Sequence, residues 1–209
     1  MSAVESLILE TTSTSVTVQL VPLRARVGRL EVLVCRGDGG GSFPMGAPRS
    51  DADLAEEAGR FGKQRIGLDG TVVQLGAFGY CDDGIDVVYT YLCPPLEPGT
   101  PNRNGTLPGG SWVDVRSARL GPGARRVLDA AMVKLEFDVE HGMAGFWLVR
   151  DEFTVSELRK VHQSVRGVEL DPSNFRKRVT RWVDDGLVEE LERLRPTATR
   201  PARLYKLRS

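Results

Sequence analysis

Near the C-terminus, Asp171 to Trp182 (DPSNFRKRVTRW) sets an amide and three cations on one helical stripe. Asn174, Lys177, Arg178 and Arg181 recur at i, i+3, i+4 and i+7. Phe175, Val179 and Trp182 recur at i, i+4 and i+7 as an apolar stripe. At about 100° per residue the two stripes lie roughly 120° apart. One face can pack into a small core while the other offers cations to phosphates and guanine edges, and an amide to adenine. That is the chemistry a helix needs in a DNA major groove. Asp171 and Pro172 mark the start, because a carboxylate caps free backbone N–H groups and proline lacks only a donor that has no partner there. Ser173, in the first turn, joins the candidate DNA-contacting set. A solvated basic helix would carry the same residues, so its neighbours decide the reading.

Upstream, Thr154 with Glu157 three residues later is a capping box opening a helix over 155–165. Leu158, Val161, His162 and Val165 fall on its buried side, and Gly167 ends it. His162 is read as a satisfied core residue rather than a metal ligand. Downstream, 187–194 and 202–207 read as extended runs around a tip, Arg195 to Pro201 (RPTATRP). Helix, turn, helix and a hairpin with a basic tip predict a winged helix-turn-helix, with Arg200 and Arg203 on a wing that can follow the adjacent DNA backbone or minor groove. Charge follows the same division. From Asp171 to Ser209 there are ten Lys/Arg and six Asp/Glu, while the formal net charge of the whole chain is zero. A basic C-terminal module therefore sits on a slightly acidic body.

That body reads as α+β. Strands are expected over 16–23, 30–35, 71–78, 85–92 and 112–115, with helices over 51–64 and 122–140. Gly67 is placed to end the first helix. Cys35, Cys81 and Cys93 form no CxxC pair, and an odd count argues against a disulfide framework. There is no signal pattern, and no apolar run approaches the roughly 18 residues of a membrane span, so a cytoplasmic protein without a membrane partner is expected.

The loop and helix from Phe43 to Leu68 resemble the Nudix box. Phe43-Pro44-Met45-Gly46 looks like its usual lead-in. From Gly46 the frame runs without a gap: Arg60 falls on the signature arginine and Gly67-Leu68 on the terminal pair. The carboxylates do not follow. Ala52, Phe61, Gln64 and Arg65 stand where the signature has glutamates, and those glutamates hold divalent cations in Nudix hydrolases. Hard cations need oxygen ligands, so no metal, catalytic residue or cofactor is expected here. Glu56 and Glu57 are expected to face solvent at the helix start.

A Nudix-like domain joined to a winged helix resembles the Nudix-related transcriptional regulators, the NrtR family. Met132 to Phe137 (MVKLEF), Phe153 to Leu158 (FTVSEL), Asn174 to Lys177 (NFRK) and Arg200 to Tyr205 (RPARLY) carry the resemblance. It implies a Nudix-like α/β/α sandwich over 1–142 followed by a winged helix-turn-helix over 143–209. It also implies a homodimeric DNA-binding repressor of NAD-related metabolism, released from double-stranded DNA by ADP-ribose or a related nucleotide. Arg36 and Arg60 are candidates for the ligand's phosphates, since guanidinium matches them in a fork, and Phe78 for stacking on its base. The rival reading is a Nudix hydrolase acting on a nucleoside diphosphate derivative, with Asp53, Glu56 or Glu57 as substitute ligands.

Overall fold

The computed structural model describes residues 15–26, 28–36, 40–67, 69–80, 84–95, 110–197 and 200–208. Residue 27, residues 37–39, Leu68, Cys81 with residues 82–83, residues 96–109 and part of the wing tip lie outside them.

The first sheet runs β4(Thr71–Tyr80), β5(Gly84–Cys93), β1(Ser15–Arg26), β2(Arg29–Cys35), β6(Gly110–Asp114), with the short β3(Met45–Gly46) also pairing β1. β1 and β5 are parallel; the other neighbours are antiparallel. Side chains alternate across a strand, and both faces of this sheet are covered. On β5, Val87, Tyr89, Tyr91 and Cys93 join one core with Val18, Leu20 and Leu33. Val88 and Leu92 join the other with Val21, Leu23, Leu30 and Val32. Burial on both faces is why β1 reads as a continuous apolar run rather than an alternating one.

The first face is covered by α1(Leu54–Phe61), which continues into a wider π-type turn, Gly62–Ile66. The helix expected over 51–64 is thus shorter and changes pitch. Asp53 caps it, accepting from the backbone N of Ala55 at 2.8 Å and of Glu56 at 3.0 Å. A Cβ on Gly62 would lie 2.2 Å from the Tyr91 ring, so only glycine lets this turn approach the sheet. Gly67 then ends it in the left-handed region, φ 73°. The second face is covered by α2(Pro122–His141), through Val127, Leu128, Ala131, Leu135 and Val139. Helix, sheet and helix make the expected three-layer sandwich.

The C-terminal module comprises α3(Ala144–Trp147), β7(Glu152–Phe153), α4(Val155–Arg166), α5(Pro172–Asp184), β8(Val188–Arg195) and β9(Ala202–Leu207). Its three strands pair in the order β7-β9-β8. Both halves of the Thr154–Glu157 capping box form, at 3.2 and 2.8 Å, and Gly167 ends α4 in the left-handed region. Phe146, Phe153, Leu158, Val161, Val165, Phe175, Val179 and Val188 are buried in the same continuous cluster as the α2 side of the sandwich. The two modules therefore share one apolar core, and α2 passes through it. Among the described residues no helix is long and apolar enough to cross a membrane.

Candidate nucleic-acid interface

α5 begins where Asp171 accepts from the backbone N of Asn174 at 2.8 Å, with Pro172 in the first turn. Phe175 and Val179 are buried. Trp182 stands edge-on to both Phe146 and Phe175. On the other side Ser173, Asn174, Lys177 and Arg181 are exposed, as the two-stripe reading requires. The stripe omits Arg176, which is also exposed on α5; the unbroken run Arg176-Lys177-Arg178 is its signal.

Arg178 is placed differently. It lies about 40° from Trp182 around the helix, at the edge of the polar stripe, and it turns inward. Its guanidinium sits 4.8 Å from the Trp182 ring centroid. It donates to the Glu140 carboxylate of α2 at 3.4 Å and to the Glu140 backbone carbonyl. The second oxygen of that carboxylate is 2.8 Å from Arg166 of α4.

The hairpin is tied down by its own cations. Arg195 donates to Glu157 at 2.7 Å and to the Glu152 carbonyl at 2.8 Å, and Arg193 pairs with Glu152. Arg203 pairs with Glu190 across the strands at 2.6 Å, yet its side chain stays 56% exposed. Arg200 is exposed at the wing tip, where its carbonyl accepts from Thr197 Oγ1 at 2.6 Å. Among the described residues, unpaired cations thus line one side of α5 and the wing tip.

Behind α5, His162 is buried as expected, edge-on to Phe175 with centroids 5.0 Å apart. It is not satisfied, because its Nδ1 has no hydrogen-bond partner among the described residues. Its pKa is lowered to about 3, chiefly by burial and in the same direction by the nearby Arg178 and Arg166 charges.

In the sandwich, Glu57 corrects the sequence reading. It does not face solvent: its side chain is fully buried under two arginines. Arg60 reaches it at 2.6 and 3.0 Å, and Arg49 at 2.8 Å. The hydrogen bond from Arg60 is the main cause that holds its pKa down at about 2. Glu57 lies three residues after Leu54 and four before Phe61, inside the apolar stripe of α1, and Arg60 at i+3 is the cue that it would be paired. Glu56 is exposed, as expected.

The donor set does not fit a divalent cation. Asp53 is a helix cap, Glu57 is held by arginines, Phe61 is core, and the Gln64 side-chain oxygen accepts from Arg60 at 2.9 Å. No group of three His, Cys, Asp or Glu able to hold a metal occurs among the described residues. Arg36 is exposed just beyond β2. Phe78 packs with the α2-side core, whereas Arg60 belongs to α1 on the opposite face. The fold therefore does not bring Arg60 and Phe78 together.

Comparison with known proteins follows this division. Residues 145–207 match the family described as the NrtR DNA-binding winged helix domain. The fold as a whole is that of NrtR from Shewanella oneidensis, solved alone (TM-score 0.79, 20% identity, 93% of this chain and 94% of that one). The same protein complexed with a 27mer DNA superposes with a TM-score of 0.77 at 20% identity, covering 92% and 93%. A MutT/nudix family protein from Enterococcus faecalis gives 0.71 at 21% identity, covering 95% and 90%. No curated protein matches the sequence.

Proposed function

We propose that this chain, whose C-terminal module is an NrtR-type DNA-binding winged helix, is a cytoplasmic transcriptional regulator acting as a homodimeric repressor. Residues 143–209 bind duplex DNA and residues 1–142 sense a nucleotide such as ADP-ribose. The observation that carries the reading is the exposed face of α5, where Ser173, Asn174, Lys177 and Arg181 stand clear of the core that holds Phe175 and Val179. Asn174 and Arg181 supply base-edge donors and acceptors, while Lys177, Arg200 and Arg203 meet phosphates. Arg178 joins them once it leaves Glu140. Two copies related by a two-fold axis read two half-sites.

The sandwich is catalytically silent in this reading. Its support is the loss of every signature carboxylate together with the use of Glu57 as an internal ion-pair partner. What persists is the scaffold of the loop: Gly46 against the Phe61 ring, the Arg60 brace and the left-handed Gly67. Arg36 is the proposed phosphate contact. Because Arg60 and Phe78 lie on opposite faces, at most one of them meets a given ligand. A nucleotide that prefers the DNA-incompetent arrangement shifts the population away from DNA by its difference in affinity.

The test has two arms. Selection from a random duplex pool should yield a preferred sequence whose affinity falls steeply with salt. A thermal-shift screen with ADP-ribose and NAD, with and without that duplex, should find a nucleotide that stabilises the free protein and opposes DNA. Magnesium-dependent release of AMP from ADP-ribose would replace the silent reading with the hydrolase.

A further inference from the structure

α2 ends where its last carbonyls lack intrahelical donors and where the helix dipole is negative. Arg178 comes from the DNA-facing helix α5, 38 residues further along the chain, and caps that end. It donates through Nη2 to the Glu140 carbonyl and through Nη1 to the Glu140 carboxylate, with its face on Trp182. Both terminal nitrogens are occupied. A forked contact to a guanine edge or a phosphate needs two neighbouring N–H groups turned outward. With both terminal nitrogens on Glu140 and the guanidinium face on Trp182, the side chain does not offer that fork to DNA in this position.

Glu140 is fixed from the effector side. One residue before it, Val139 is buried in the core that α2 shares with β1, β2 and β5. Any ligand-driven displacement of α2 against the sheet moves Glu140. Arg166 holds the same carboxylate from α4 at 2.8 Å, so the end of α2 touches both helices of the helix-turn-helix.

We propose that the Glu140–Arg178 contact is an autoinhibitory clasp: the end of α2 withholds one recognition-helix arginine from DNA, and release of that arginine is part of DNA binding. Lys177 and Arg181, one residue before and three after, face outward and are not withheld. The inference rests on the DNA-binding reading above. It adds a route by which the sandwich tunes affinity without touching DNA.

The test uses the full chain and the duplex that the wild type selects from a random pool. Binding is measured by fluorescence anisotropy for the wild type, Glu140→Gln, Arg178→Ala and the double variant. Glutamine keeps the size of Glu140 and removes its charge, and Glu140→Ala serves as a second release variant should the first fail to fold. Release should tighten DNA binding on the order of tenfold, within the usual range of coupling between sites. Arg178→Ala should weaken binding, and adding Glu140→Gln to it should change nothing more. A folded release variant with unchanged or weaker binding overturns the clasp while leaving DNA binding intact, as does tightening that survives in the Arg178→Ala background. A wild type that selects no duplex fails the DNA reading itself, and the clasp with it.

Discussion

Lowering the pH from 7 to 5 should destabilise the C-terminal module through one residue, His162. The imidazole is buried among Phe175, Trp182 and the backbone of Gly145, with Arg178 and Arg166 nearby. The folded state holds it neutral down to about pH 3, whereas the unfolded chain takes up the proton near 6.5. The unfolded state binds more protons below 6.5, so stability is full above that pH and is lost as pH falls from 6.5 toward 3. Integrating this difference from pH 7 to pH 5 gives about 2 kcal/mol. Glu57 titrates below this window, since its pKa moves from 4.5 down to about 2. Urea denaturation at the two pH values measures the loss. His162→Leu should flatten it, because no proton is taken up at that position. The variant should also be no less stable at pH 7, since the unpartnered Nδ1 is gone. Parallel losses in wild type and variant would refute the reasoning, as would an NMR titration of His162 near 6.5 in the folded protein.

Other consequences are as direct. Lys177→Ala should lower the salt slope of DNA binding by about one and weaken all sequences evenly, whereas Asn174→Ala should relax the choice of base; equilibrium binding across a salt series separates them. Glu57→Gln should lower the Tm more than Arg49→Ala, because it leaves two guanidinium groups without their shared carboxylate, and differential scanning calorimetry reports both. Thr154→Ala should cost about 1 kcal/mol in chemical denaturation through loss of the α4 cap. Burial pushes the Cys93 thiol up to about 12, so it should react with a thiol reagent only after unfolding.

The release experiment on Glu140 and the acid experiment on His162 bear on the same corner of the molecule. Arg178 and Arg166 converge on the end of α2, and both lower the His162 pKa. Protonating His162 would add a third positive charge to a cluster with one carboxylate. That corner joins the effector body to the DNA-facing helix, which is why charge changes there should be felt in both stability and binding.

Sequence by itself determined the features that depend on neighbours along the chain. Caps at Thr154 and Asp171, the left-handed stops at Gly67 and Gly167, and the period-3.6 stripes of α4 and α5 are set within a turn or two, and all appear where the residues place them. An α+β body and a winged helix followed from the order of those elements, and the sandwich was implied by the resemblance to the Nudix box. Tertiary structure decided which charged groups are available. Arg178 and Glu140 meet across 38 residues, and Arg195 and Glu157 across the same separation, so no local pattern announces either pair. Glu57 is buried because α1 lies against the sheet with that stripe inward, and Arg49 and Arg60 close over it. Phe78 and Arg60 are separated by the sheet itself. Hydrogen-bonded turns are specified by residues a few positions apart, whereas the partner of a long charged side chain is whatever the packing of distant elements brings within its reach.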